Sequence, residues 1–128
     1  MLINDVKGMY KIKVDPVRRV VYEYPEGLWR GEDFQRLQQD YETKIAPALK
    51  GKPWAKLSDL RNYKMSNIVN EINDHVSWAA KNGLSCAAIV VESTVVKMQM
   101  KRSGGGAMAP EPFTEEAEAD AWLKQQGF

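Results

Sequence analysis

The order of periodic segments predicts an α/β domain in which helices pack on a mixed sheet of four or five strands. Three observations carry this prediction. Tyr10, Ile12 and Val14 alternate with Lys11 and Lys13, which is the period of a half-buried strand. Phe34, Leu37, Tyr41, Ile45, Ala48 and Leu49 recur at helical spacing and form one apolar stripe. Cys86-Ala87-Ala88-Ile89-Val90-Val91 is a continuous apolar run, too short for most helices and suited to a strand covered on both faces.

The elements follow in order. Met9 to Asp15 is a strand. Asp15-Pro16-Val17-Arg18 supplies turn chemistry, because proline presets the φ of a turn's second position. Arg19 to Tyr24, rich in β-branched and aromatic residues, is the returning arm of an antiparallel hairpin. Pro25, Gly27 and Gly31 break the pattern. The first helix spans Glu32 to about Leu49, with Glu32 and Asp33 in the first turn matched to the helix dipole. Pro47 predicts a kink or early end near its close. Trp54 to Leu60 is mostly apolar and lies between helices, so it reads as an inner strand in parallel pairing.

A second helix is expected from about Asn67 to Lys81, with Ser66 or Asn67 as its cap, Ile68, Ile72, Val76 and Ala79 on its apolar face, and Asn82-Gly83 at its end. The run from Cys86 to Val91 is the expected centre of the sheet. Thr94 to Ala109 fits a short helix or an extended segment, and the reading leans to the helix; Ser103-Gly104-Gly105-Gly106 has a loop composition. Pro110 and Pro112 confine any strand leading to Phe113 to a sheet edge, since neither can donate to a ladder. Thr114 is the expected cap of a last helix that packs Ala117, Ala121 and Trp122 inward.

Composition narrows the function. The chain has 128 residues, which points to one domain over 1–128. Lys and Arg total 18 against 17 Asp and Glu, a net charge of +1, so no global field recruits nucleic acid. The single cysteine, Cys86, cannot form an internal disulfide or a thiolate metal cage and fits a reducing compartment. No apolar run approaches the ~18 residues that span a bilayer, and the chain reads as cytoplasmic. One histidine, His75, excludes a multi-histidine metal site; beside the apolar stripe of its helix it reads as a boundary residue.

Several fragments then fall in a telling order: Glu26-Gly27-Leu28-Trp29 before the first helix, Gly51-Lys52-Pro53-Trp54 leading to Leu57-Ser58-Asp59-Leu60-Arg61, Gly83-Leu84 before the apolar strand, and Phe113-Thr114-Glu115-Glu116-Ala117 ending in Ala121-Trp122-Leu123. In order and spacing the chain resembles the STAS fold and, within it, the SpoIIAA-like family of anti-sigma-factor antagonist relatives. The resemblance implies a non-enzymatic regulatory or binding module without cofactor. In the antagonists a serine at the start of the second helix is phosphorylated and the surface around it docks the partner. The counterpart here is Asp59-Leu60-Arg61-Asn62-Tyr63-Lys64-Met65-Ser66-Asn67, with Ser66 near the phosphoacceptor position; the antagonists' Asp-Ser-Ser-Gly run is absent. The branch also resembles lipid-binding domains in topology, which implies an apolar ligand or a membrane-surface role for some members.

Each candidate residue has a plainer reading beside the functional one. Ser66 serves as a helix cap, or as a phosphoacceptor whose phosphate would meet free amides, with Arg61 and Lys64 as countercharge. Asp59 ends an inner strand, where open α/β sheets place ligand-contacting residues, and its carboxylate is also suited to fix the next loop; the two roles can coexist. Cys86 in a buried strand behaves as a small hydrophobe. Trp54, Trp78 and Trp122 fit the core, whereas Trp29, in a Gly-rich turn, and Met98, Met100 and Met108, around the glycine run, are harder to assign to one. Methionine suits surfaces that accommodate variable apolar partners, so a hydrophobic pocket gated by residues 95–110 is expected. The sequence thus predicts a module binding a regulatory partner protein or an apolar small molecule through Trp29, Asp59, Arg61, Asn62, Tyr63, Ser66, Met98, Met100 and Met108. Two alternatives stand beside it: a switch phosphorylated on Ser66, and a small enzyme using Asp59 and Tyr63. Homo-oligomerisation and peripheral membrane contact stay open.

Overall fold

A computed structural model describes the backbone of residues 1–64, 68–103 and 109–128, and the side chains of these except 99–103. The strands are Leu2–Asn4 (β1), Tyr10–Asp15 (β2), Val20–Pro25 (β3), Gly27–Leu28 (β4), Trp54–Asp59 (β5), Tyr63–Lys64 (β6), Leu84–Val90 (β7) and Glu111–Phe113 (β8). The helices are Gly31–Asp40 (α1), Ala46–Leu49 (α2), Val69–Lys81 (α3), Thr94–Ser103 (α4) and Glu116–Gln125 (α5), with a π-helical stretch over Tyr41–Ile45 between α1 and α2.

The main sheet runs β1-β2-β3-β5-β7-β8. The first three strands pair antiparallel and the rest parallel, so the expected α/β fold with a mixed sheet is present. It has six strands among the described residues, more than the expected four or five, because Leu2–Asn4 adds an edge strand too short to show a period. The predicted hairpin, inner parallel strand and proline-bearing edge strand are all present as β2–β3, β5 and β8.

Two expectations are corrected. The run around Cys86 is not the centre of the sheet: β3 and β5 are, and β7 lies one strand in from the β8 edge. Every residue of β5 is buried, whereas β8 pairs only with Ala88, Ile89 and Val90 and leaves Cys86 and Ala87 half-covered. The first helix reaches Leu49 as expected, and near Pro47 its geometry is broken rather than ended. Pro47 has no N–H for Thr43 and its ring crowds that carbonyl. The helix widens just before it, the Ala46 N–H reaching back to Tyr41, and continues to Leu49. The last helix is preceded by Glu115 rather than capped by Thr114, and Ala119 and Leu123 point inward while Ala117 and Ala121 are exposed. The second helix starts at Val69; Ser66 and Asn67 lie outside the described residues.

Two cores flank the sheet. On one face α1, the π stretch, α2, α3 and α4 cover Ile12, Val14, Val21, Trp54 and Ile89. On the other, α5 covers Val20, Ala55, Leu57, Ala88 and Val90 through Ala119 and Leu123. Polar ties hold the layers in register. Arg36 of α1 grips the buried Asp5 through both oxygens at 2.8 and 2.9 Å and holds that carboxyl below its ordinary range. Arg18, in the hairpin turn, and Tyr22 both donate to Asp120 of α5, at 2.9 and 2.8 Å. At the carboxyl ends of β3 and β5, the short β4–β6 pair joins the two following loops, with the Gly27 N–H donating to the Asn62 carbonyl at 2.9 Å.

Candidate functional site

The central strands place polar groups where the sheet is covered on both faces. Alternation along β5 sends Ala55 and Leu57 toward α5, so Lys56 and Ser58 point to the thicker helical layer. On β3, Glu23 is the register partner of Ser58 and points the same way. Glu23, Lys56 and Ser58 are 7%, 8% and 7% exposed. Such groups persist in an interior only when their hydrogen bonds are made.

They are made to one another and to two helical side chains, Tyr41 and His75. Ser58 Oγ donates to Glu23 Oε1 at 2.7 Å, and the Tyr41 hydroxyl donates to Glu23 Oε2. Lys56 Nζ lies 3.3 Å from Glu23 Oε2, 2.8 Å from His75 Nε2 and 5.1 Å from the centre of the Tyr41 ring. His75 Nδ1 lies 2.6 Å from Gln38 Oε1 on α1. An ammonium can only donate, so Nε2 accepts from Lys56 and the ring proton sits on Nδ1, donating to the Gln38 carbonyl oxygen. The imidazole is thereby neutral. Burial, and then the adjacent Lys56 charge, push its pKa well below the ordinary 6.5. Tyr41 is raised well above the ordinary tyrosine value by burial and then by Glu23, so it stays a phenol.

Beside this cluster is a cavity of about 90 Å³ between the sheet and helices α1 and α3. Its wall is apolar: Trp29, Phe34, Leu37, Ile72 and Val76 on the helical side, Pro25, Leu60 and Ile89 on the sheet. Its floor is polar: Glu23, Lys56, Ser58 and His75. Trp29 is 1% exposed, and its indole N–H donates to the Glu26 carbonyl at 3.1 Å. Its ring packs 5.3 Å from Phe34, 5.8 Å from Tyr10 and 6.1 Å from Tyr63, centre to centre.

The structure thus brings together two of the residues singled out from sequence, Trp29 and Tyr63, which both line the cavity. Trp29, hard to assign to a core from its Gly-rich turn, is one of the most buried side chains. Asp59 and Arg61 lie elsewhere: Arg61 holds both Asp59 oxygens, at 2.9 and 2.7 Å, and its own N–H meets Oδ1 at 3.2 Å. That guanidinium keeps the Asp59 carboxyl below its ordinary range. Asp59 therefore fixes its loop, the plainer of its two readings, and does not share the cavity with Tyr63. Asn62 is exposed and takes part through its backbone carbonyl. Met98 is 48% exposed on α4 and does not line the cavity. Ser66, Met108 and the side chain of Met100 lie outside the described residues, as does most of the expected gate; Pro110 alone of residues 95–110 lines the cavity among those described.

His75 is not the boundary residue its helical position implies but is 3% exposed at the heart of the site. Lys56, Ser58, Glu23 and Gln38 were likewise not distinguished by sequence. A usable signal existed: an inner strand flanked by helices must bury both faces, so any lysine or serine within it needs internal partners. Among the described residues, no group of three or more His, Cys, Asp or Glu is placed to hold a metal ion, and no helix is long and apolar enough to cross a membrane. The chain matches no known family model and no curated protein.

Proposed function

We propose that the protein is a non-enzymatic binding module of STAS/SpoIIAA-like type, acting in the cytoplasm, that holds a small apolar ligand between the sheet and helices α1 and α3. The observation that carries this reading is the cavity of about 90 Å³ walled by Trp29, Phe34, Leu37, Ile72 and Val76. Ligand pockets combine an apolar wall with a few placed polar groups, and the Glu23–Lys56–His75 floor provides those groups. Tyr63, within the loop that the family resemblance makes the partner-docking site, and Trp29, whose ring packs 6.1 Å from it, both line the cavity, so occupancy inside has a short route to the surface at β4 and β6.

Native mass spectrometry of the purified chain, beside an Ile72→Phe variant whose larger ring fills the cavity, tests this reading. A small-molecule adduct on the wild type that is lost in Ile72→Phe supports it. Wild type that neither carries nor takes up any small apolar molecule contradicts it.

A further inference from the structure

We infer that the cavity selects a compact, neutral molecule whose apolar body carries one hydroxyl or N–H donor, a short-chain alcohol in chemical class, and that it rejects carboxylates. The inference rests on the ligand-binding reading above and adds the chemistry of the ligand.

Charge on the floor is already balanced. Glu23 and Lys56 are one anion and one cation 3.3 Å apart, and His75 contributes none. Glu23 accepts from Ser58 and Tyr41 and forms an ion pair with Lys56. Lys56 is directed at Glu23, at His75 Nε2 and at the face of Tyr41. A carboxylate entering the cavity would lose its water and sit beside Glu23. To pair with Lys56 it would have to displace a partner that is already in place, which leaves a second buried anion uncompensated. An ammonium would meet Lys56 in the same way. A neutral ligand faces neither penalty.

The floor also specifies the direction of the hydrogen bond. Ser58 Oγ spends its one hydrogen on Glu23 and keeps acceptor lone pairs, and among the described residues no donor reaches it. Tyr41 also gives its hydrogen to Glu23. A ligand hydroxyl or N–H therefore finds an acceptor at Ser58, while its apolar part lies against Trp29 and Ile72. Size sets the scale: about 90 Å³ lies well below the ~300–1,000 Å³ of pockets that hold drug-sized ligands. That suits a molecule of a few heavy atoms rather than a long acyl chain.

Ligand-observed NMR with 1-butanol and with butyrate, on the wild type, Ser58→Ala and Ile72→Phe, tests the inference. The expected result is saturable butanol binding to the wild type, at least tenfold weaker butyrate binding, butanol binding weakened about fivefold in Ser58→Ala, the worth of one neutral hydrogen bond, and neither probe bound by Ile72→Phe. Butyrate binding as tightly as butanol, with both lost in Ile72→Phe, overturns the charge selection while leaving the cavity as a ligand site. Neither probe binding the wild type overturns the ligand-binding reading itself, and this inference with it.

Discussion

Lys56 Nζ lies 2.8 Å from His75 Nε2, a hydrogen bond that ties the central strand β5 to helix α3 inside the core. The contact dictates the state of both groups. The lysine donates, the imidazole accepts and stays neutral, and Glu23 on the neighbouring strand supplies the countercharge. The polar floor of the cavity is therefore a closed circuit in which each member is held by at least two others or by the sheet.

Breaking that circuit at the lysine is expected to be costly. Lys56→Met keeps the volume but strands Glu23 in the interior, a loss of about 3–5 kcal/mol for a buried pair that loses one partner. Adding Glu23→Gln removes the stranded charge, so the double variant is expected to be more stable than Lys56→Met alone. Urea midpoints for the wild type, both single variants and the double variant give the coupling. Strictly additive losses would contradict a shared network.

A pH dependence follows from His75. In the unfolded chain it titrates near 6.5; in the folded chain burial, and then Lys56, place its pKa well below that. Between the two values the unfolded chain binds a proton that the folded chain does not, so stability rises with pH there, by up to about 1.4 kcal/mol per pH unit, and levels off above about pH 7. The polar and titratable groups facing the ring are Lys56, Gln38 and Tyr41, its ring at 4.7 Å, and the rings of Phe34 and Trp78 pack beside it. Asp5 and Asp59, lowered by Arg36 and Arg61, add a loss of the same sign at more acidic pH, as the medium falls through the carboxylate range. Urea unfolding from about pH 5 to pH 8 should show the slope in the wild type and a flatter one in His75→Gln. Equal slopes in both would contradict a neutral buried imidazole.

Gly83 joins α3 to β7 at φ +102°, and a Cβ there would lie 3.2 Å from Trp54 Cδ1. Trp54 cannot give way freely, because its indole N–H donates to the Asn82 carbonyl at 2.8 Å and its backbone N–H to Gly83 at 3.0 Å. Gly83→Ala is expected to destabilise by about 1–3 kcal/mol through strain and crowding together. Gly8→Ala, at φ +71° with open space around it, should cost only about 1 kcal/mol, the backbone part. Thermal unfolding of the two variants measures the difference, and equal losses would contradict the role given to Trp54.

These relationships mark where a linear reading of the chain succeeds and where it stops. The alternation of Tyr10, Ile12 and Val14, the helical stripe from Phe34 to Leu49, and the prolines at 110 and 112 each express a local physical rule, and the corresponding elements form as expected. Strand order is a long-range property, which is why the apolar run at Cys86 reads as the centre although β3 and β5 form it. The site was harder to read for a related reason. Glu23, Lys56 and Ser58 occupy strand positions that would face solvent in a sheet with one covered face, and His75 sits one residue from the apolar stripe of α3. Only the stacking of three layers turns those positions inward together. Trp29 shows the converse: a turn rich in glycine hid a residue that the β4–β6 pair folds into the core.

The ligand site is tested most directly at Trp29. Its indole N–H gives a resolvable signal in a proton–nitrogen correlation spectrum, and Trp122, packed 5.8 Å from Phe113 on the opposite face of the sheet, provides an internal control. Titration with 1-butanol is predicted to move the Trp29 signal along a saturable curve while the Trp122 signal stays in place. A Trp29 signal that does not move, or four indole signals that drift together without saturating, would contradict a ligand site between the sheet and helices α1 and α3.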